Sequence, residues 1–311
     1  SSETFTIPCQ NVGVFDAEID WGDDTTSAIT AFNDADLAHT YASAGDHQIK
    51  ISGTFPNIHF NNVGSGDRLK VKSVGNLGVV GWLTLEQAFF GCSNMASFIA
   101  GNTDTSSVTS TANIFRDCSS LASFDARNFN TSSVTDMERM FLDCSSLTSL
   151  DLSGFDTSSL TRTQRMFFGC SSLTSVNVSN FDTSSVNDMA VMFFGCSSLT
   201  SLDLSGFDTS KVNEMSFMFS GCSSLSDIIG VQSFDIEALN STNDLNNFAT
   251  GVTLPTARYD ALLVNWDAQD PFDNMSPNFG NSKYTAGGAA AAARANLIST
   301  DGWTIADGGT A

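Results

Sequence analysis

The sequence predicts an α/β solenoid: a right-handed parallel stack of 26-residue strand–turn–helix repeats between a β-rich N-terminal cap and a helical C-terminal cap. Three observations predict it. Cys92, Cys118, Cys144, Cys170, Cys196 and Cys222 recur every 26 residues, and a fixed period of that size marks a repeat architecture. Apolar columns travel with them. Three residues on stand Met95, Leu121, Leu147, Leu173, Leu199 and Leu225; six residues on stand Phe98, Phe124, Leu150, Val176, Leu202 and Ile228. The composition is that of a packed chain, with 41% hydrophobic residues and 25 Phe against three Tyr in 311 positions.

Residues 1–75 are expected to form the β-rich cap, 76–230 the array, and 231–311 a degenerate repeat followed by the helical cap. Within a repeat, Leu152, Val178 and Leu204 complete an LxxLxL run whose last part alternates as a strand does. A Phe column (Phe129, Phe155, Phe181, Phe207) leads into Thr- and Ser-rich turns. Val134, Met137, Met140 and Phe141 then fall at i, i+3, i+6 and i+7, a helical stripe repeated at Val186, Met189, Met192 and Phe193. Ser133 with Asp136, and Ser185 with Asp188, fit capping boxes; Gly91, Gly169, Gly195 and Gly221 fit left-handed C-terminal caps. One such unit cannot bury both its strand face and its stripe, so neighbours must stack, and six strands give roughly 24 Å of sheet. Past Cys222 the pattern fades. Leu254, Tyr259, Leu262, Leu263 and Trp266, with Pro255 at the first turn, predict one helix; Ala289 to Ile298 predicts a second, and Trp303-Thr304-Ile305 a strand.

The cysteine spacing lacks the close pairs that zinc needs. Side chains stacked in register run parallel about 4.8 Å apart, whereas a disulfide needs converging Cβ atoms about 3.8 Å apart, so the column reads as buried free thiols.

The units FLDCSSLTSLDLSGFDTSSLT, FFGCSSLTSVNVSNFDTSSVNDM and FFGCSSLTSLDLSGFDTSKVNEM resemble the leucine-rich repeats of BspA-like bacterial surface proteins, also known as a mycoplasma-type domain of unknown function. The resemblance covers about residues 82–230 and implies an extracellular location and adhesion without catalysis; the chain is expected on a cell surface, or on an appendage or virion surface under the structural alternative below. Upstream, EIDWGDDTTSAIT and LAHTYASAGDHQIKISG resemble a PKD/Ig-like domain in which Asp24 replaces the usual turn glycine. That resemblance makes Trp21 and Tyr41 core and turn anchors, with Gln48-Ile49-Lys50-Ile51 a strand.

Thirteen Lys and Arg against 34 Asp and Glu leave a net charge of −21, which repels nucleic acid and anionic lipid and attracts cations. No stretch approaches the ~20 apolar residues of a membrane span, and the start at Ser1 lacks the pattern of a signal peptide, as in a processed or excised chain. No GxSxG, HExxH, P-loop or GxGxxG-plus-helix motif is present, and no enzymatic activity is expected. The candidate site is the strand face, where Ser123 and Asp125, Ser149 and Asp151, Ser175 and Asn177, and Ser201 and Asp203 point outward as a polar ladder for a protein or glycan partner. A solvated face is the plain alternative. So is a structural building block of a surface layer, fibre or virion appendage that works by self-assembly. Asp104, Asn130, Asp156, Asp182 and Asp208 form an acidic column in the turns, compensated either by Asx-turn hydrogen bonds or by calcium; Asp20, Asp23 and Asp24 are a second calcium candidate. Thr105, Thr131, Thr157, Thr183 and Thr209 form hydroxyl ranks of the kind an ice-binding surface needs, or a by-product of repetition.

Overall fold

The computed structural model describes residues 2–61 and 66–311; Ser1 and residues 62–65, part of the expected 1–75 cap, lie outside the described residues. The N-terminal segment holds two small antiparallel sheets. Strand β2 (Asp16–Asp20) lies between β3 (Thr26–Ile29) and β5 (Lys50–Thr54), and β1 (Glu3–Thr6) pairs with β4 (Ala38–Tyr41). The strand expected from Gln48 begins at Lys50. Trp21 is fully buried and accepts, at its carbonyl, a 3.0 Å hydrogen bond from the Tyr41 hydroxyl. The His39 ring stacks on Trp21 and that of His47 on Tyr41, with centroids 5.0 and 3.9 Å apart, so both histidines serve packing. The segment joins the first repeat through Phe55 N–H to the Val80 carbonyl (2.7 Å) and Leu83 N–H to the Pro56 carbonyl (2.9 Å).

Strands β6 (Ser73–Val74), β7 (Ser97–Ile99), β8 (Ser123–Asp125), β9 (Ser149–Asp151), β10 (Ser175–Asn177), β11 (Ser201–Asp203) and β12 (Asp227–Ile229) follow the repeat. Paired neighbours are parallel and in register, as in Phe98 opposite Phe124 and Leu150 opposite Val176. Pairing groups them as β6-β7-β8, β9-β10 and β11-β12.

The other side of each repeat corrects the sequence reading, because Val134–Phe141 and its equivalents form no helix. Alternate amides there do different work. Those of Met137, Arg139, Phe141 and Asp143 donate to the Arg162, Gln164, Met166 and Phe168 carbonyls of the next repeat, at 2.8–3.0 Å. Those of Met140, Leu142 and Cys144 close turns onto Met137, Arg139 and Phe141. Arg139 and Asp143 take positive φ (56° and 57°), and the same two columns are left-handed at Asn113 and Asp117, Arg165 and Gly169, and Val191 and Gly195. The expected capping boxes are Asx turns instead: Asp136 and Asp188 accept from the Glu138 and Ala190 amides at 2.9 and 2.8 Å. Rung spacing supplies the reason. Chains held about 4.8 Å apart have no room for helices about 10 Å wide, whereas consecutive turns fit and pass half their amides to the neighbour.

This turn ladder outlasts the strands. Met215, Phe217, Phe219 and Gly221 donate to Asp244, Asn246, Phe248 and Thr250, and Ala249 donates to Asn278. Helix α1 (Thr256–Asp267) starts where the next strand would fall and buries Tyr259, Leu262, Leu263 and Trp266; α2 (Ala289–Ser299) follows after the next coil. The strand expected at Trp303–Ile305 is not formed. The Trp303 amide donates to Leu297 and that of Thr304 to Met275, so regular pairing shrinks to isolated bridges, Asn278 to Ala306 and Tyr284 to Thr310. A single apolar core runs from Ile7 to Trp303.

Down its centre the phenylalanine and cysteine columns lie side by side. Phe115, Phe141, Phe167, Phe193 and Phe219 are fully buried, and neighbouring rings stack at 5.1–5.9 Å. Every cysteine among the described residues is a free thiol. From Cys118 to Cys222, each column Sγ donates to the carbonyl of the phenylalanine 29 residues earlier, at 3.0–3.1 Å. Burial pushes the Cys170 thiol up to about 12. A maleimide at neutral pH is therefore expected to leave all six column cysteines unmodified in the native protein and to modify all six in denaturant. Mass spectrometry reads the outcome, and native labelling of Cys144 would contradict it.

Candidate binding face

The exposed face of β8–β11 carries the predicted ladder, and the strands' pleat accounts for it: Leu150 and Leu202 are buried while Ser149, Asp151, Ser201 and Asp203 are exposed. Ser123, Ser175 and Asn177 are exposed as well, and Asp125 is half-buried. The structure adds a role that the alternation alone did not reveal. Asp125, Asp151, Asn177 and Asp203 each accept the amide two residues on, at 2.9–3.2 Å, and so terminate their strands as Asx turns. Asp151 Oδ1 also accepts from Ser153 Oγ (2.7 Å) and from Asn177 Nδ2 on the next rung (3.0 Å), which leaves Oδ2 facing solvent. These bonds, the Ser153 hydroxyl first, hold the Asp151 carboxyl below its ordinary value; those from Ser205 do the same for Asp203. Asp125 is neutralised by Arg127, whose guanidinium Nη2 approaches Oδ2 at 2.6 Å. At the last rung Arg258 forks onto Asp227 at 2.9 and 3.1 Å. Sequence reasoning passed over the ends of this file. Ile99 and Ile229 occupy the column of Asp125 and Asp203 and are 41% and 38% exposed.

The turn column is built for its own backbone. Asp104, Asn130, Asp156, Asp182 and Asp208 each accept both the amide and the hydroxyl of the serine two residues on, at 2.6–3.1 Å. Repulsion from Asp156 and Asp208 raises the Asp182 pKa, but the Ser184 bonds outweigh it and the net shift is downward. Asp20 Oδ1 accepts the Gly22 amide; Asp23 binds Thr25 through Oδ1 and His39 Nε2 through Oδ2 (2.8 Å); Asp24 sits at φ 67° in the same turn. Among the described residues, no three His, Cys, Asp or Glu side chains converge in a metal-binding group. The threonine ranks are not a surface. Thr105, Thr131, Thr157, Thr183 and Thr209 are buried, and the hydroxyls of Thr105, Thr157, Thr183 and Thr209 accept amides of Asn130, Asp182, Asp208 and Asp235 in the following coil at 2.7–2.8 Å. That removes the ice-binding reading and makes these hydroxyls staples between turns.

Two sets of carboxylates titrate in opposite senses. The hydrogen-bonded turn acids have folded pKa values below the unfolded ones, so their stabilisation is complete above the ordinary Asp value of about 4 and is lost as pH falls beneath it. Half-buried Asp188 and Glu214 are raised, chiefly by desolvation. Their ionised forms cost stability at neutral pH, and this cost disappears as pH falls through the raised values. Melting temperature is expected to rise on acidification from pH 7 toward about 4.5 and to drop below about pH 3.5. A monotonic fall from pH 7 would contradict these assignments.

Among the described residues, no helix is long and apolar enough to cross a membrane. No curated protein and no solved structure matches the chain. A family model matches twice, over residues 83–176 and 148–256, two overlapping spans that centre on the stacked coils and together cover more than half of the 311 residues. The chain therefore belongs to the family described as Mycoplasma protein of unknown function, DUF285, the domain of BspA-like proteins.

Proposed function

We propose that the stacked coils are a leucine-rich-repeat solenoid serving as a non-catalytic, extracellular recognition or adhesion module, with the strand face as its contact surface for a protein or glycan. The PKD-like segment and the α1–α2 segment close its two ends, protecting edges that would otherwise pair with other chains. The supporting observation is the file Ser149/Asp151, Ser175/Asn177 and Ser201/Asp203, exposed on three consecutive rungs whose turns are hydrogen-bonded to their neighbours. A surface already fixed in place loses little conformational freedom on binding. The test is binding of the purified protein to immobilised extracellular-matrix proteins and to a glycan array. The double variant Asp151→Lys/Asp203→Lys should lose whatever the parent binds, and Asp151→Asn/Asp203→Asn, which keeps the turn acceptors as Asn177 does while removing both charges, should weaken binding while melting within about 2 °C of the parent. Retained binding would remove the strand face from the account.

A further inference from the structure

Read along the stack, the outward column is Ile99, Asp125, Asp151, Asn177, Asp203, Ile229: two exposed aliphatic side chains bracketing four polar rungs. The charges within it are graded. Asp125 is matched by Arg127 and Asp227 by Arg258, whose charge also reaches Asp203; among the described residues neither Asp151 nor Asp203 has an ion-pair partner, and the neutral Asn177 separates them. Asn177 spares the file a third consecutive like charge and ties Asp151 in place. Five rung spacings of about 4.8 Å set the isoleucines about 24 Å apart, with the two carboxylates about 10 and 19 Å from Ile99.

Resting on the strand-face reading above, we propose that this column binds a linear, basic polypeptide segment lying along the stack, with one apolar residue on Ile99, another on Ile229, and cationic side chains between them over Asp151 and Asp203. Charge complementarity selects this occupant. A second copy of the chain, at −21, is repelled, and so are polyanions. The serines of the neighbouring column (Ser123, Ser149, Ser175, Ser201) supply hydroxyls beside the path. An extended chain advancing about 3.2 Å per residue spans the anchors in about eight residues, and because only alternate side chains face the column, its cations stand about four and six residues from the first anchor. The isoleucines fix register and the carboxylates fix sign, so neither pair suffices alone.

The probe is a fluorescein-labelled nonapeptide, Leu-Ser-Ser-Ser-Lys-Ser-Lys-Ser-Leu, whose leucines and lysines share one face when extended, titrated with the intact chain by fluorescence anisotropy. Saturable binding is expected, weakening as salt rises and falling about tenfold or more in Asp151→Lys/Asp203→Lys. Ile99→Ser and Ile229→Ser should each weaken it about three- to tenfold, and a peptide with Glu for both Lys should not bind. Absence of saturable binding, or binding indifferent to both isoleucine substitutions, overturns the proposal. The two readings fail separately. If a matrix protein or glycan is lost on carboxylate reversal while the nonapeptide never binds, the basic-segment proposal falls and the strand face stands. If the nonapeptide binds the parent and all three variants equally, its site lies elsewhere and the proposal falls. Self-association seen by sedimentation would likewise overturn the choice of occupant.

Discussion

Phe167→Ala is expected to cost about 3–5 kcal/mol, among the largest losses available from one truncation in the array. The ring is fully buried and stacks between Phe141 at 5.9 Å and Phe193 at 5.1 Å. Neighbours on both sides are held in register by turn-ladder bonds, including Phe141 N–H to the Met166 carbonyl and Phe167 N–H to the Met192 carbonyl, both 2.9 Å. The walls of the cavity therefore cannot close, and the lost transfer energy is joined by the energy of an unfilled void. Phe168, next in sequence, stacks on Phe194 at 4.9 Å but is half-exposed, so Phe168→Ala should cost clearly less. Chemical denaturation of the two variants measures the difference; equal midpoints would mean that the Phe167 column is not the core.

Gly230→Ala carries the second large effect, by a different route. Gly230 has φ 93°, and a Cβ there would lie 2.6 Å from both Cα and N of Ser205, backbone atoms of the preceding coil. Backbone cannot step aside as a flexible side chain can, and the left-handed conformation adds its own strain. Together these are expected to cost about 3 kcal/mol or more and to push the coil after β12 away from β11. Gly154→Ala is the control, because a Cβ there meets nothing within 4 Å; it should be near neutral. Thermal melts distinguish them, and two similar small shifts would contradict the close coil-to-coil approach at Gly230.

The sequence made the period, the strand positions and the C-terminal helices legible, because each rests on a column or a face that repetition or amphipathic spacing makes visible. Tyr259, Leu262, Leu263 and Trp266 share a helix face, and the helix runs through them. The turn side was misread for a physical reason. An advance of three residues per turn places Val134, Met137 and Met140 inward whether the chain is helical or makes successive turns, so the stripe could not discriminate. A signal was present in the two left-handed columns. Asn113 and Asn247 in one, and Asp117 and Asp143 with Gly91, Gly169, Gly195 and Gly221 in the other, are residue types that tolerate positive φ. Arg139, Arg165, Val191 and Phe217 masked it, because their strained conformation is imposed by the ladder and not by local preference. The candidate face was legible in its polar rungs and not in its ends, since attention to the acidic column passed over Ile99 and Ile229. That the carboxylates close Asx turns depends on side-chain direction, which alternation along a strand does not specify.

The central claim is that like positions of successive 26-residue units lie upon one another, tied more continuously through the turns than through the strands. Removing residues 171–196 tests it most directly, because Cys170 then runs into Ser197-Ser198-Leu199, the sequence that follows the cysteine in a neighbouring unit. The shortened chain is predicted to fold and unfold cooperatively, with its remaining column thiols still protected, whereas removal of residues 171–183, half a unit, should abolish folding by placing turn against strand. Equal collapse of both deletions, or equal tolerance of them, would contradict the stacked arrangement.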